Sequence, residues 1–375
     1  MRRVLSLLAL GLAAGAAWAA AGNQKLNPPL AGGKGAVSGA SRFVDNPFLI
    51  SSDGSRVVYL ADQEREGAVE LWSVPIAGGK AVRLNGELVA GGDVSGAAPE
   101  VHNPFRISPD GRRVVYVADQ DVDEVFELYS VPIAGGSVTK LNPPLAGGAG
   151  DVGGVAPEMP NPFLVSPDSE WVVYVADQDA DEVVELYSVP IIGGASVKLN
   201  PPLAGSKGDV RGAAPEMPNP FRISPDSRRV VYVADQDTDN VYELYSVPIA
   251  GGRSAKLNPV LAGGRGEIRG ADNMVANPFL VTADSRRVLY LADQETVGVM
   301  ELHSVPIAGG KVVRLNPPLA GGHGTIVGAD YEVNNPFRIS PDGRRAVYVA
   351  DQDVDEVIEL YVSDLPADDP RERDP

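Results

Sequence analysis

Residues 103–145 read NPFRISPDGRRVVYVADQDVDEVFELYSVPIAGGSVTKLNPPL, and this stretch decides the fold. PFRIS is short and apolar at alternate positions, and it stops at PDG. There Pro109 presets φ and Gly111 supplies a positive φ, so the chain turns. RRVVYVAD follows, rich in β-branched and aromatic residues as strands are. QDVDE breaks it with clustered acids, and VFELYSVPI forms a third strand closed by AGG. SVTKLNPPL reads as a fourth strand ending in Pro143-Pro144, and a Gly-rich connection leads on. Nothing in the unit keeps a helical period over ten or more residues.

The unit recurs. NPF begins at Asn46, Asn103, Asn161, Asn219, Asn277 and Asn335, and ADQ begins at Ala61, Ala118, Ala176, Ala234, Ala292 and Ala350. Six near-uniform units of four antiparallel strands predict an all-β, six-bladed β-propeller. A linear β-solenoid needs atypical capping repeats at its ends, which these units lack. The chain begins with a stray fourth strand, Lys25–Leu30 (KLNPPL), and ends after a third strand, Val357–Ser363. The sequence therefore predicts a ring closed by strand 25–30 completing the last blade. The propeller then spans 21–363, with a disordered, charged and Pro-rich tail at 364–375.

Composition narrows the function classes. The chain has 375 residues, net charge −18, 44% hydrophobic residues and no cysteine. A surface this acidic repels nucleic acid and anionic lipid, which need Lys and Arg contacts to phosphate. Without cysteine there is no disulfide, no thiolate zinc site and no thiol nucleophile. Residues 1–20 carry Arg2-Arg3, an apolar stretch from Leu5 to Leu12, and Ala17-Trp18-Ala19. This pattern is that of a cleaved signal peptide. It places the mature protein in the periplasm or outside the cell, with no membrane span once the signal is removed.

The pattern SPDG–strand–Asp–ELY over all six units resembles the WD40-like repeat of TolB-type propellers. The resemblance implies a periplasmic protein working beside the Tol–Pal envelope system. TolB carries an α/β domain ahead of its propeller, and here about five residues lie between the expected cleavage site and Lys25, so a literal Tol role is not expected.

Alternating strand direction puts the loop between second and third strands on the same face as the links between blades; this face is called the top. Top loops carry Asp119, Asp121, Asp123 and Glu124; Asp177, Asp179, Asp181 and Glu182; Asp235, Asp237 and Asp239; and Asp351, Asp353, Asp355 and Glu356. Glu100, Glu158 and Glu216 in the links add to it. The opposite, bottom face carries Arg112-Arg113, Arg228-Arg229, Arg286-Arg287 and Arg344-Arg345, with Glu170-Trp171 breaking the series.

The D-x-D-x-D strings imitate the first half of a calcium loop, since alternating carboxylates in a turn can converge on a hard cation. The glycine and distal Glu of that loop are missing, so the first Asp of each string is equally a cap for backbone amides. Leu49, Arg106, Leu164, Arg222, Leu280 and Arg338 alternate after the NPF phenylalanine. If the first strand is innermost, Arg106, Arg222 and Arg338 approach the channel and could hold an anion, or else pair with nearby acids. His102, His303 and His323 fall at three different repeat positions, and His303 replaces the tyrosine of ELY as a packing substitution. NPF reads as structural. With no nucleophile elbow, Walker A loop or zincin helix, the expectation is a non-catalytic scaffold that requires no cofactor. Its acidic top would engage a protein or polymer partner at the cell envelope. The alternative is a metal-dependent propeller hydrolase or lyase using the top carboxylates.

Overall fold

Val114, Val115, Tyr116, Val117 and Ala118 are all buried. An unbroken apolar run of this kind suits a strand covered on both faces, and the blade is indeed sandwiched between its neighbours. The computed structural model describes residues 23–30, 35–38, 46–95, 104–145, 150–153, 162–203, 209–210, 220–261, 268, 277–319, 326, 335–354 and 356–367. The expected signal peptide, Glu100, Glu158, Glu216, Asp355, His102 and His323 lie outside these residues.

Blade two has strands Phe105–Ile107, Arg113–Ala118, Glu127–Pro132 and Thr139–Lys140, hydrogen-bonded in that order and antiparallel throughout. Blades one, three, four and five repeat the same order, and the sixth sheet has three strands. This is the predicted all-β, six-bladed propeller architecture. The register sets Tyr116 opposite both Phe105 and Tyr129, and the two tyrosine rings stack at 5.3 Å between centroids. The fourth strand is shorter than the sequence suggests. It holds two residues, because the Asn142 side chain, and not a further backbone carbonyl, accepts the next amide of the third strand, that of Leu128, at 2.7 Å.

Cores form between consecutive blades. Val58, Leu60 and Leu71 of blade one meet Phe105, Val114 and Tyr116 of blade two, and the same set recurs at each junction up to blades five and six. From blade two to blade six the NPF phenylalanine is thus a wedge between blades. Burying each one stabilises by about 2–3 kcal/mol.

The predicted closure is not formed. Residues 25–30 carry no strand, although Leu26 and Leu30 pack on Val57, Tyr59, Ala61, Trp72 and Val74 of blade one much as Leu84 packs on blade two. The Ala36 amide donates to Oδ1 of Asp62 at 2.5 Å, the contact that the links into blades two, three and four make with the blade they enter. The physical reason is the shortness of the fourth strand. A two-residue ladder adds little, whereas Leu26 and Leu30 gain burial on blade one without it. Leu360 is consequently 72% exposed, whereas Leu71, Leu128, Leu186, Leu244 and Leu302 at the same place are fully buried. The tail also begins later than predicted. The last strand runs Glu359–Asp364, and the Leu365 amide donates to Arg344 O at 2.8 Å.

Candidate binding face

The top face is built from the ADQ turn outward. Asp119 is buried, and its two oxygens accept the amides of Asp93 (2.6 Å) and Glu124 (3.2 Å). Asp177 does the same for Asp151 and Glu182, and Asp235 for Asp209 and Asn240. Gln120 Oε1 accepts both the Tyr116 hydroxyl (2.9 Å) and the Gly86 amide of the preceding link (2.7 Å). The first acid of each string is therefore a cap that also holds the incoming link, which was one of the two readings of the sequence.

The second acid is paired. Lys140 Nζ lies 3.0 Å from Asp121 and 2.5 Å from Glu127; Lys198 and Lys256 repeat this with Asp179 and Glu185, and with Asp237 and Glu243. The conserved-looking lysine of KLN is thus the counter-ion of the turn, a partner the sequence reading had not assigned. Its signal was there: a lysine two residues before Asn-Pro in blades two, three and four, each of which has the acidic string.

The third acid is different. Asp123, Asp181 and Asp239 are exposed and have no ion pair among the described residues. Beside them stand Glu124, Glu182, Asn240 and Glu356, all at φ near 60°, the left-handed region that favours glycine. Blades one and five have Gly67 and Gly298 at this place. Val122, Val297 and Val354 are exposed on the same loops. Asp351 repeats the cap in blade six, where the Glu356 amide donates to its Oδ2, while Asp353 is exposed with no ion pair among the described residues.

The links add buried charge. Asp151 accepts the Phe126 amide at 2.8 Å, yet burial, with Asp177, Asp119 and Asp181 nearby, pushes its carboxyl up to about 6. Asp93 is raised by the same cause, burial first.

On the bottom face the two arginines of a pair separate in blades two, four and five, whereas Arg344 and Arg345 of blade six both stay exposed. Arg113, Arg229 and Arg287 turn inward and donate through Nε to Ser130, Ser246 and Ser304 at 2.8–2.9 Å. Arg112 is exposed, 3.8 Å from Asp110. The basic rim is therefore thinner than the sequence suggests, with five of the eight arginines exposed.

Arg106 and Arg222 are half-buried, and burial lowers both guanidinium pKa values; Arg338 is exposed. Arg222 bonds Asn277 Oδ1 of the next blade and sits 5.8 Å over the Phe279 ring. Arg106 lines a cavity of about 350 Å³ between the first strands of blades one to three, with Leu49, Ile107, Leu164 and Val165. The three arginines do not share one environment.

Among the described residues, the group whose donor atoms come within 4.8 Å of one another is Glu295, Glu301 and His303, and not a D-x-D-x-D string. Arg314 already bonds both carboxylates, at 2.9 and 3.0 Å. His303 is fully buried, stacks on Tyr290 at 5.3 Å, and leaves both ring nitrogens without a hydrogen bond. Burial holds its pKa down to about 4. In blade two the hydroxyl of Tyr129 occupies this place and donates to Glu127 at 2.9 Å.

No family model and no curated protein matches the chain. Solved structures do resemble it. TolB from Acinetobacter baumannii is 13% identical over 79% of this chain and 58% of that one, with TM-score 0.34. An oligogalacturonate lyase in complex with manganese is 14% identical over 85% and 76%, with TM-score 0.40. The β-propeller domain of the Trilobed protease from Pyrococcus furiosus is 12% identical over 85% and 81%, with TM-score 0.37. Each is a likeness of fold, shared by proteins of quite different activity.

Proposed function

We propose that the chain is a non-catalytic binding scaffold whose acidic top face engages a cationic protein segment or polymer at the cell envelope. The observation that carries this reading is the third acid. Asp123, Asp181 and Asp239 stand exposed at one repeated position, without an ion pair among the described residues, beside exposed valines on neighbouring loops such as Val122 and Val297. In these three blades the first acid of the string is taken up by backbone amides and the second by a lysine. A rigid scaffold that presents unpaired carboxylates at fixed intervals suits a partner with spaced positive charges and a modest apolar surface.

A lysine-rich peptide titrated against the protein tests this. Binding is expected at low ionic strength and should weaken steeply between about 50 and 300 mM salt, as exposed charges are screened. Binding that ignores salt, or none at low salt, would count against the proposal. Turnover of a glycan or peptide by the purified protein would instead support the hydrolase or lyase alternative.

A further inference from the structure

Blade one and blade six each present an apolar face that every other blade buries. On blade one, Phe48 and Ile50 are both 53% exposed, whereas Phe105, Phe163, Phe221 and Phe279 are buried. With Leu26, Val37 and Tyr59 they line a cavity of about 350 Å³. On blade six, Leu360 and Val362 (62% exposed) stand on a third strand that has no fourth strand beside it among the described residues.

We infer that these are the two halves of one interface between copies of this chain: blade one of one molecule docks on blade six of the next, and residues 24–25 complete its sixth sheet. The junction of blades one and two is built from Leu84 and Val94 of the outgoing link, Leu71 of the third strand, and Phe105 and Tyr116 of the incoming blade. Leu26 and Val37 stand in the places of Leu84 and Val94, Leu360 in that of Leu71, and Phe48 and Tyr59 in those of Phe105 and Tyr116. All the parts of a sixth junction are present, but they are held at opposite ends of the chain.

Charge complements shape. In blades two to four, a lysine of the fourth strand pairs with the Glu of ELY and the second acid of the turn. Blade six has those acids, Glu359 and Asp353, with no cation on them among the described residues. Lys25 is the matching lysine, exposed and without an ion pair among those residues. The sheet edge adds a short ladder, since an unpaired edge strand accepts another segment. The contact is heterologous, one surface against a different one, so it extends to longer assemblies unless the rotation closes.

The absence of cysteine makes the test direct. By the register of Ser130 with Thr139, Gln24 of one molecule should face Val362 of the next. Gln24→Cys and Val362→Cys are made as separate variants, mixed and mildly oxidised. The expected result is a disulfide-linked dimer in the mixture, several-fold above either variant alone, and a ladder of multimers from the double variant. Leu360→Glu, at a position exposed in the single chain, should fold normally and lower the mass seen by sedimentation at high concentration. A double variant that cross-links only within one chain would overturn the inference in favour of a self-clasped ring. Failure to cross-link in every combination, with wild type monomeric at high concentration, would overturn it as well.

Discussion

The Asp209 amide donates to Oδ1 of Asp235 in the next blade, while Asp209 Oδ1 accepts the amide of Val184 in the blade before. One link residue thus joins two blades through two charge-assisted bonds, and Asp151 and Asp93 do the same at their junctions. The acceptor aspartate is buried, so its loss strands amides away from water. Asp177→Ala should destabilise by about 2–4 kcal/mol, read as a lower midpoint in urea unfolding. A change below about 0.5 kcal/mol would mean the staple is not structural.

Glu124, Glu182 and Glu356 adopt φ near 60° with no backbone need for their side chains. Glycine serves the same turn in blades one and five. Glu182→Gly should therefore be neutral or stabilising, by up to about 1 kcal/mol, because relief of left-handed strain offsets the entropy glycine adds to the unfolded chain. Destabilisation beyond about 1 kcal/mol in thermal unfolding would show that the glutamate makes an interaction absent from this geometry.

His303 lacks the hydroxyl through which tyrosine bonds the ELY glutamate in blade two. His303→Tyr should stabilise at neutral pH by about 1 kcal/mol. The pH dependence is sharper. The folded-state pKa is depressed to about 4 from 6.5, so the unfolded state binds the proton first. Stability is full above about pH 6.5 and falls as pH drops toward 4, by up to about 3 kcal/mol. Asp151, raised to about 6, acts in the opposite sense, gaining stability as pH falls through 6 toward 3.8. Both proteins share Asp151, so the difference between wild type and His303→Tyr isolates the histidine. A difference that stays constant from pH 7 to pH 4 would contradict the assignment.

Calcium should do little. In blades two to four the first acid of the string bonds amides and the second bonds a lysine, so a cation would have to displace both. Millimolar calcium after EDTA treatment is expected to leave the thermal midpoint within about 1 °C. A larger reversible rise, as mass action requires of a ligand specific to the folded state, would restore the metal reading.

Most of the fold was legible because period carries it. The NPF and ADQ spacings, the SPDG turns and the continuous Val-Val-Tyr-Val-Ala run each dictate a local structure, and those structures agree. The closure was not legible. KLNPPL before blade one looks like a strand, but only its first residues could pair, and Leu26 and Leu30 find burial on blade one regardless. In the site, the aspartates were visible as a class, whereas the roles within each string were not. Asp119, Asp121 and Asp123 look alike in sequence; what separates them is Lys140 and the Asp93 amide, which lie 19 and 26 residues away.

The measurement that tests the central claim most directly compares two triple variants for binding to a lysine-rich peptide at low salt. Asp123→Asn, Asp181→Asn and Asp239→Asn together neutralise the exposed third acids. Asp110→Asn, Asp168→Asn and Asp226→Asn neutralise the same number of carboxylates on the bottom face. The account predicts a loss of affinity of roughly tenfold or more in the first and little change in the second, since about 1.4 kcal/mol of local attraction is a factor of ten. Equal weakening by both would mean that net charge alone binds the peptide and that the top face is not a site.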